Sequence, residues 1–280
     1  PLVGDLPPKT ESVLLKATAK NSADRYDDIP TFLDALQQAL FREETAVSHD
    51  TITPLSTTEL AKLENPYKGL RAFTEADAHN FFGRETLIQS LLTKLTDGTD
   101  LSRFLAIVGP SGSGKSSVAK AGLIPTLRRG GIPGSDKWFA VEMTPGTHPF
   151  EELEAALLRV AINPPESLLA QLRQDERGFL QASKRILPTD PDIELLLLID
   201  QFEELFTLTE DEAVRAAFLD SLITAVLDSR SRLRIVITMR ADFTDKPLQY
   251  VDFGDLMRQR TEFVLPLTAD ELEQVVVRPV

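Results

Sequence analysis

The 280-residue chain contains no cysteine. Disulfides and cysteine-ligated zinc are therefore excluded, and a reducing cytosol is compatible. The expected location is cytoplasmic. Histidine is scarce too: His49, His79 and His148 stand far apart, without metal-ligand spacing. Positive charge is short, with 30 Lys and Arg against 43 Asp and Glu, a formal net charge of −13. That argues against nucleic acid as a partner, because affinity for it comes mainly from basic residues neutralising phosphates. Long apolar runs are missing. The most apolar stretch, Ile193 to Ile199, is far too short to span a bilayer, and nothing resembles a signal peptide. What remains is ordinary for a globular protein: 42% apolar and 26% charged residues, enough for a sizeable core. The chain opens on Pro1 and closes on Val280 inside an apparent helix. It reads as a piece of a longer protein.

The most informative stretch is Phe104 to Val118. An apolar run leads into Gly109-Pro-Ser-Gly-Ser-Gly-Lys-Ser-Ser117 and then into helix formers. The pattern G-x-x-x-x-G-K-[ST] falls on Gly109, Gly114, Lys115 and Ser116. By chance it arises in roughly one chain in a hundred of this length. The glycines, Gly112 among them, let bare backbone approach phosphate oxygens. The N–H groups of the turn that runs through Pro110, Ser111 and Ser113, and of the new helix that holds Ser117, suit an anion. Lys115 supplies a mobile charge for the β- and γ-phosphates, and the Ser116 hydroxyl suits Mg²⁺.

A second half of such a site is expected at Asp200. The run from Ile193 to Asp200 is apolar at nearly every position, as in a central parallel strand. It delivers Asp200 to the strand's C-terminal end, where α/β sheets bind ligands. Asp200 is placed to hold Mg²⁺ with Ser116. Either Glu203 or Glu204 could polarise an attacking water. Thr238 and Arg240 end a further strand at the same edge, where a cation could sense the γ-phosphate. Asp242 and Asp245 follow and suit helix caps.

Read in order, residues 1–42 form a small helical unit, with helices over Glu11–Lys20 and from Phe32 to Leu40. Residues 43–64 are Thr-, Ser- and Glu-rich and read as a linker. From Asn65 the chain becomes turn-rich with aromatic anchors, then Glu75–Asn80 suits a short helix. Phe81-Phe82-Gly83-Arg84-Glu85 precedes a helix from Thr86 to about Leu95. The run resembles the element that packs against the adenine in several ATPase families, which implies that Phe82, Gly83 and Arg84 meet a nucleotide base; the alternative is that the two phenylalanines are core and Arg84 is a surface charge. Placement just before the strand of the glycine loop, a P-loop, favours the base. The P-loop helix is expected to end near Gly122. Strands are expected at Trp138–Met143, Ile193–Asp200, Leu233–Arg240 and Glu262–Leu267, and helices over 150–187, broken at Pro164-Pro165, and Glu210–Leu227. This alternation predicts an α/β fold with a parallel sheet between helical layers, a three-layer αβα P-loop NTPase carrying a small N-terminal helical segment.

Two resemblances follow. The runs Leu14–Tyr26 and Phe32–Leu40 resemble the last two helices of a bacterial Ser/Thr protein kinase domain. Arg25 would then pair with a glutamate of the activation segment, and Ser22 departs from the usual proline. No Gly-rich loop, H-R-D or D-F-G occurs in these residues, so the fragment is not an active kinase. Residues 65–280 resemble the novel STAND branch of signalling NTPases, similar to NACHT and NB-ARC switches. The resemblance rests on Asn65–Phe73, Phe81–Glu85, the P-loop with Ala121–Pro125, Leu198–Phe206 and Thr238–Phe243. An ABC-type L-S-G-G-Q and a Ras-type N-K-x-D are absent. Gln201 stands where many AAA+ machines carry glutamate.

The resemblance implies a slow ATPase switch using ATP or ADP with Mg²⁺. Glu203 would hold the position of the second acid in the NACHT-type pattern, ahead of Glu204. It also implies an effector upstream, here the kinase, a repeat or sensor domain downstream, and homo-oligomers in the ATP state. An AAA+-like motor, or a nucleotide-stabilised scaffold without turnover, are the alternatives.

Overall fold

The computed structural model describes residues 71–162 and 165–279, with Pro66, Lys68, Gly69 and a scatter of positions between Ser12 and Ala39. Two compact units form, Pro1–Glu64 and Asn65–Val280. In the first, the described residues Ser12, Val13, Lys16 and Ala17 are helical, as are Thr31, Phe32, Leu33, Ala35, Leu36 and Ala39. Tyr26 packs on Phe32 with ring centroids 5.6 Å apart, and the Lys16 ammonium lies 4.5 Å above the Tyr26 ring. The expected linker at 43–64, and Arg25 with Ser22, lie outside the described residues.

The second unit is built on five strands: β1 (Phe104–Gly109), β2 (Phe139–Met143), β3 (Leu195–Ile199), β4 (Leu233–Arg240) and β5 (Thr261–Phe263). Their order is β2-β3-β4-β1-β5, and every pairing is parallel. All of β1 and β3 is buried, because helices cover both faces. The two-residue period of a strand divides the side chains between those faces. Phe104, Ala106, Val108, Leu195, Leu197 and Ile199 enter one apolar cluster. Leu105, Ile107, Leu196 and Leu198 enter the other. The architecture is the expected three-layer sandwich. Each fully buried leucine contributes about 2 kcal/mol, so the leucine run in β3 is enough to hold its strand in the centre.

Helix α1 (Glu85–Thr96) buries Ile88, Leu91, Leu92 and Leu95, one stripe at helical spacing. The P-loop helix, α2, is longer than the sequence suggests. It runs through Lys115–Ser117, a π-helical turn at Val118–Leu123 and a last segment Ile124–Arg128. The widened turn comes just before Pro125, which lacks an N–H, and lets the helix continue past it. Gly122 lies in that turn because a Cβ there would meet Ile88 Cδ1 at 2.7 Å and Phe81 Cε1 at 3.1 Å. The region 150–187 resolves into α3 (Pro149–Leu158), α4 (Leu168–Leu172) and α5 (Gly178–Ile186). A short α6 (Glu204–Thr207) precedes α7 (Glu212–Leu227), whose N-cap Asp211 accepts from the Ala213 N–H at 2.8 Å. Helix α8 (Val251–Arg260) leads into β5, and α9 (Ala269–Val277) closes the unit behind a Thr268–Glu271 capping box. The last strand is shorter than expected. Val264 still donates to the Val108 carbonyl at 2.7 Å, but Pro266 has no N–H to extend the ladder.

At the N-terminal edge of the sheet, the partly buried Arg234 and the buried Arg260 tie helix ends to strands. Arg234 pairs with Glu194, donates to the Leu95 carbonyl at 2.7 Å and stacks 4.6 Å above Trp138. Arg260 donates to the Phe104 carbonyl at 3.2 Å, to the Lys94 carbonyl, and to Asp97 Oδ2 at 2.5 Å. Among the described residues no helix is long and apolar enough to cross a membrane.

Two predictions follow from this packing. Burial acts to raise the Asp97 carboxyl, but bonds from Arg260 and Thr99 bring it down to about 2. A depressed carboxylate stabilises above its unfolded value near 3.9, and that contribution is lost as pH falls toward 2. Urea titrations of Asp97→Asn should therefore show a weaker loss of stability between about pH 4 and pH 2 than the parent; an unchanged acid slope rules the pair out as a contributor. Gly83 has φ +78°, and a Cβ there would sit 2.6 Å from the Glu271 carbonyl and 2.8 Å from Val275 Cγ2. Gly83→Ala should cost about 1–3 kcal/mol, read as a lower denaturation midpoint.

Candidate nucleotide site

The C-terminal ends of β1, β3 and β4 meet at one edge, and the candidate residues gather there. The loop after β1 is built by left-handed backbone at Gly112 (φ +74°) and Gly114 (φ +89°). A Cβ at either would meet nothing within 4 Å, so both face open space. Gly109 has a different role. A Cβ there would strike Ser113 Oγ at 2.7 Å and the Val264 carbonyl at 3.1 Å. Lys115 is buried and its Nζ donates across the loop to the Pro110 carbonyl at 2.7 Å. Its pKa lies below the usual lysine value, chiefly through burial, with the Glu203 carboxylate opposing.

Ser116, the first hydroxyl of α2, donates to Asp200 Oδ1 at 2.7 Å, joining positions 84 residues apart. Thr238 on β4 donates to the same oxygen. Lys120 Nζ lies 2.9 Å from the other, Oδ2. Burial acts to raise the Asp200 pKa, but bonds from Thr238, Lys120 and Ser116 outweigh it and hold the group in its charged form. The chain then turns sharply. Gln201 takes a left-handed conformation (φ +53°), and its N–H donates to Thr238 Oγ1 at 3.1 Å. This turn sends Phe202 into the core, fully buried, and brings Glu203 back to the site.

The two glutamates part company. Glu203 is buried, accepts from the Arg240 N–H at 3.2 Å and acts electrostatically on Lys115. Glu204 accepts instead from the Gly146 N–H at 3.3 Å and anchors the loop after β2. The Arg240 guanidinium is turned onto Asp242 in a two-point pair, 3.0 Å at Nε. Asp242, expected as a helix cap, holds that arginine.

Beside the loop lies a cavity of about 490 Å³, a volume typical of cofactor pockets. Its walls include Gly112 to Val118, Phe81, Phe82, Arg84, Leu267 and Val275. Phe82 and Arg84 thus reach the pocket. The pKa of Arg84 is lowered by burial, and Glu271 opposes this. Gly83 does not line the pocket; it is packed under α9. Pro110 and Ser111 are exposed and do not line the cavity. Ser117 is buried, and its Oγ accepts from the Phe73 N–H at 3.0 Å, pinning the turn-rich lead-in to the loop.

Several contributors escaped the sequence reading, among them Arg71 and Asn80 of the lead-in, Leu267, Val275 and Lys120. Leu267 and Val275 arrive from the far C-terminal segment, and no local pattern marks them. Lys120 had a signal: it follows Ser116 by four residues, one helical turn on the same face. The residues fit a phosphate with a hard cation. Open glycine backbone and Lys115 suit the anion, and the Ser116 hydroxyl against the Asp200 carboxylate suits Mg²⁺. Among the described residues no cluster of three His, Asp or Glu side chains forms an all-protein metal cage. Mg²⁺ needs none, since it keeps waters and uses one or two carboxylates plus substrate phosphates.

The family model described as novel STAND NTPase 1 matches residues 66–280. No curated protein matches the chain. The match covers the whole sandwich, from the lead-in at Pro66 through the P-loop, Asp200 and Arg240 to α9, and the chain belongs to the novel STAND NTPase 1 family.

Proposed function

We propose that this unit is an ATP-dependent signalling switch that hydrolyses its nucleotide slowly. One observation carries the reading: Ser116 and Asp200, far apart in sequence, share a hydrogen bond at the mouth of the glycine loop. Backbone N–H groups of residues 112–117 would bind the phosphates, with Lys115 leaving the Pro110 carbonyl to reach them. Ser116 and Asp200 would hold Mg²⁺, which when bound neutralises phosphate charge and polarises the γ-phosphorus. Phe82 and Arg84 would face the base. Glu203 would orient water, and its position against the Arg240 N–H supports that role over Glu204. Arg240 would leave Asp242 to meet the γ-phosphate, so that loss of the phosphate returns it.

Beyond this unit, the reading places the protein in the cytoplasm. The helical segment at residues 1–42 would be the end of a Ser/Thr kinase effector, joined through the 43–64 linker. A downstream sensor domain and ATP-driven homo-oligomers complete the proposal. No nucleic acid takes part.

Calorimetry on the whole chain tests the core of it. ATP with Mg²⁺ should bind, and Lys115→Ala should weaken binding at least about a hundredfold, a loss of roughly 2.7 kcal/mol. A wild-type chain that binds no nucleotide would sink the reading. In single-turnover assays Glu203→Gln should lower hydrolysis at least about a hundredfold while still binding ATP. Glu204→Gln should keep most of the rate. Equal losses in both variants would remove Glu203 from its role.

A further inference from the structure

Lys120 has no part in the scheme above, yet it occupies the place that matters most to a cation. It leaves α2 one turn after Ser116. Its ammonium lies 2.9 Å from Asp200 Oδ2 and 3.5 Å from Glu142 Oε2. The side chain is only 20% exposed and that of Asp200 6%. Asp200 Oδ1 already accepts from two hydroxyls, Ser116 and Thr238. The free approach to the carboxylate is therefore on the Oδ2 side, where Lys120 sits. Glu142, on the neighbouring strand β2, is half exposed and takes the same ammonium from the other side.

We infer that Lys120 is the resident cation of this carboxylate: it neutralises Asp200 in the metal-free site, competes with Mg²⁺ for Oδ2, and moves toward Glu142 when the metal binds. The inference rests on Ser116 and Asp200 holding Mg²⁺. The electrostatics are simple. A buried carboxylate without a counter-charge is costly, so the empty site needs a cation. A positive charge a few ångströms from an arriving dication opposes it strongly in a partly buried setting. Glu142 gives the displaced ammonium a second seat. The Lys120–Glu142 pair thereby sets the Mg²⁺ concentration at which nucleotide is gripped.

The test is the affinity for ADP measured by calorimetry across a Mg²⁺ titration, using the whole chain. The readout is the Mg²⁺ concentration at half effect. Lys120→Met should lower it about tenfold, and should weaken ADP binding in EDTA. Glu142→Gln should raise it several-fold, because the ammonium then stays on Asp200. In the Lys120→Met background Glu142→Gln should change nothing further, since Glu142 acts through the lysine. A half-effect concentration that stays within twofold in Lys120→Met, or rises, overturns the inference. Wild-type ADP binding indifferent to Mg²⁺ would instead defeat the assignment of the metal to Ser116 and Asp200. Thermal melts check folding. Should Lys120→Met fail to fold, Glu142→Gln decides alone: a raised half-effect concentration supports the competition, and an unchanged one overturns it.

Discussion

The structure depends on one buried carboxylate. Asp200 sits at the end of a strand packed on both faces, where desolvation alone would push a carboxyl toward its neutral form. It stays charged because donors reach it from two other elements. Thr238 comes from β4, and Ser116 and Lys120 come from α2. Each bond satisfies chemistry and ties architecture at once. The carboxylate clamps the P-loop helix to the middle of the sheet, and the clamp is available only while the charge remains.

Sheet order explains how so many parts converge. β4 lies between β1 and β3. The glycine loop and the acid are thus one strand apart, with the Thr238–Arg240 end of β4 between them. Parallel strands put all three C-terminal ends on the same edge, so short turns suffice to aim the side chains. The left-handed Gln201 is the sharpest of those turns. It spends one residue reversing the chain, so that Phe202 faces the core and Glu203 faces the site.

Much of this was legible beforehand, for physical reasons. The leucine run of β3 admits little but a central strand, and the glycine spacing of the loop implies the left-handed turns found at Gly112 and Gly114. The five strands, their parallel pairing and the meeting of Ser116 with Asp200 all follow from such constraints. What the sequence hid depends on three-dimensional neighbours. Only the family resemblance ranked Glu203 ahead of Glu204; what parts them in space is the Gln201 turn. Gly83 looked like a point of ligand approach and proves to be a seat for α9, whose own sequence lies nearly two hundred residues on. The π-helical turn that carries α2 through Pro125 is a compromise between packing and a missing N–H, and no periodicity announces it.

The single tryptophan has a practical bearing. Trp138 is almost wholly covered, stands immediately before β2 and lies beneath the Arg234 guanidinium. It is therefore at the foot of the sheet, about 16 Å of strand away from the edge that carries the glycine loop. Its fluorescence reports whether the sheet and its arginine pins are intact, and is poorly sited to report an occupant of the loop. A silent emission spectrum on adding nucleotide would say nothing about binding. A spectral change would mean that the far end of the sheet had responded, which is a measure of transmission rather than of occupancy.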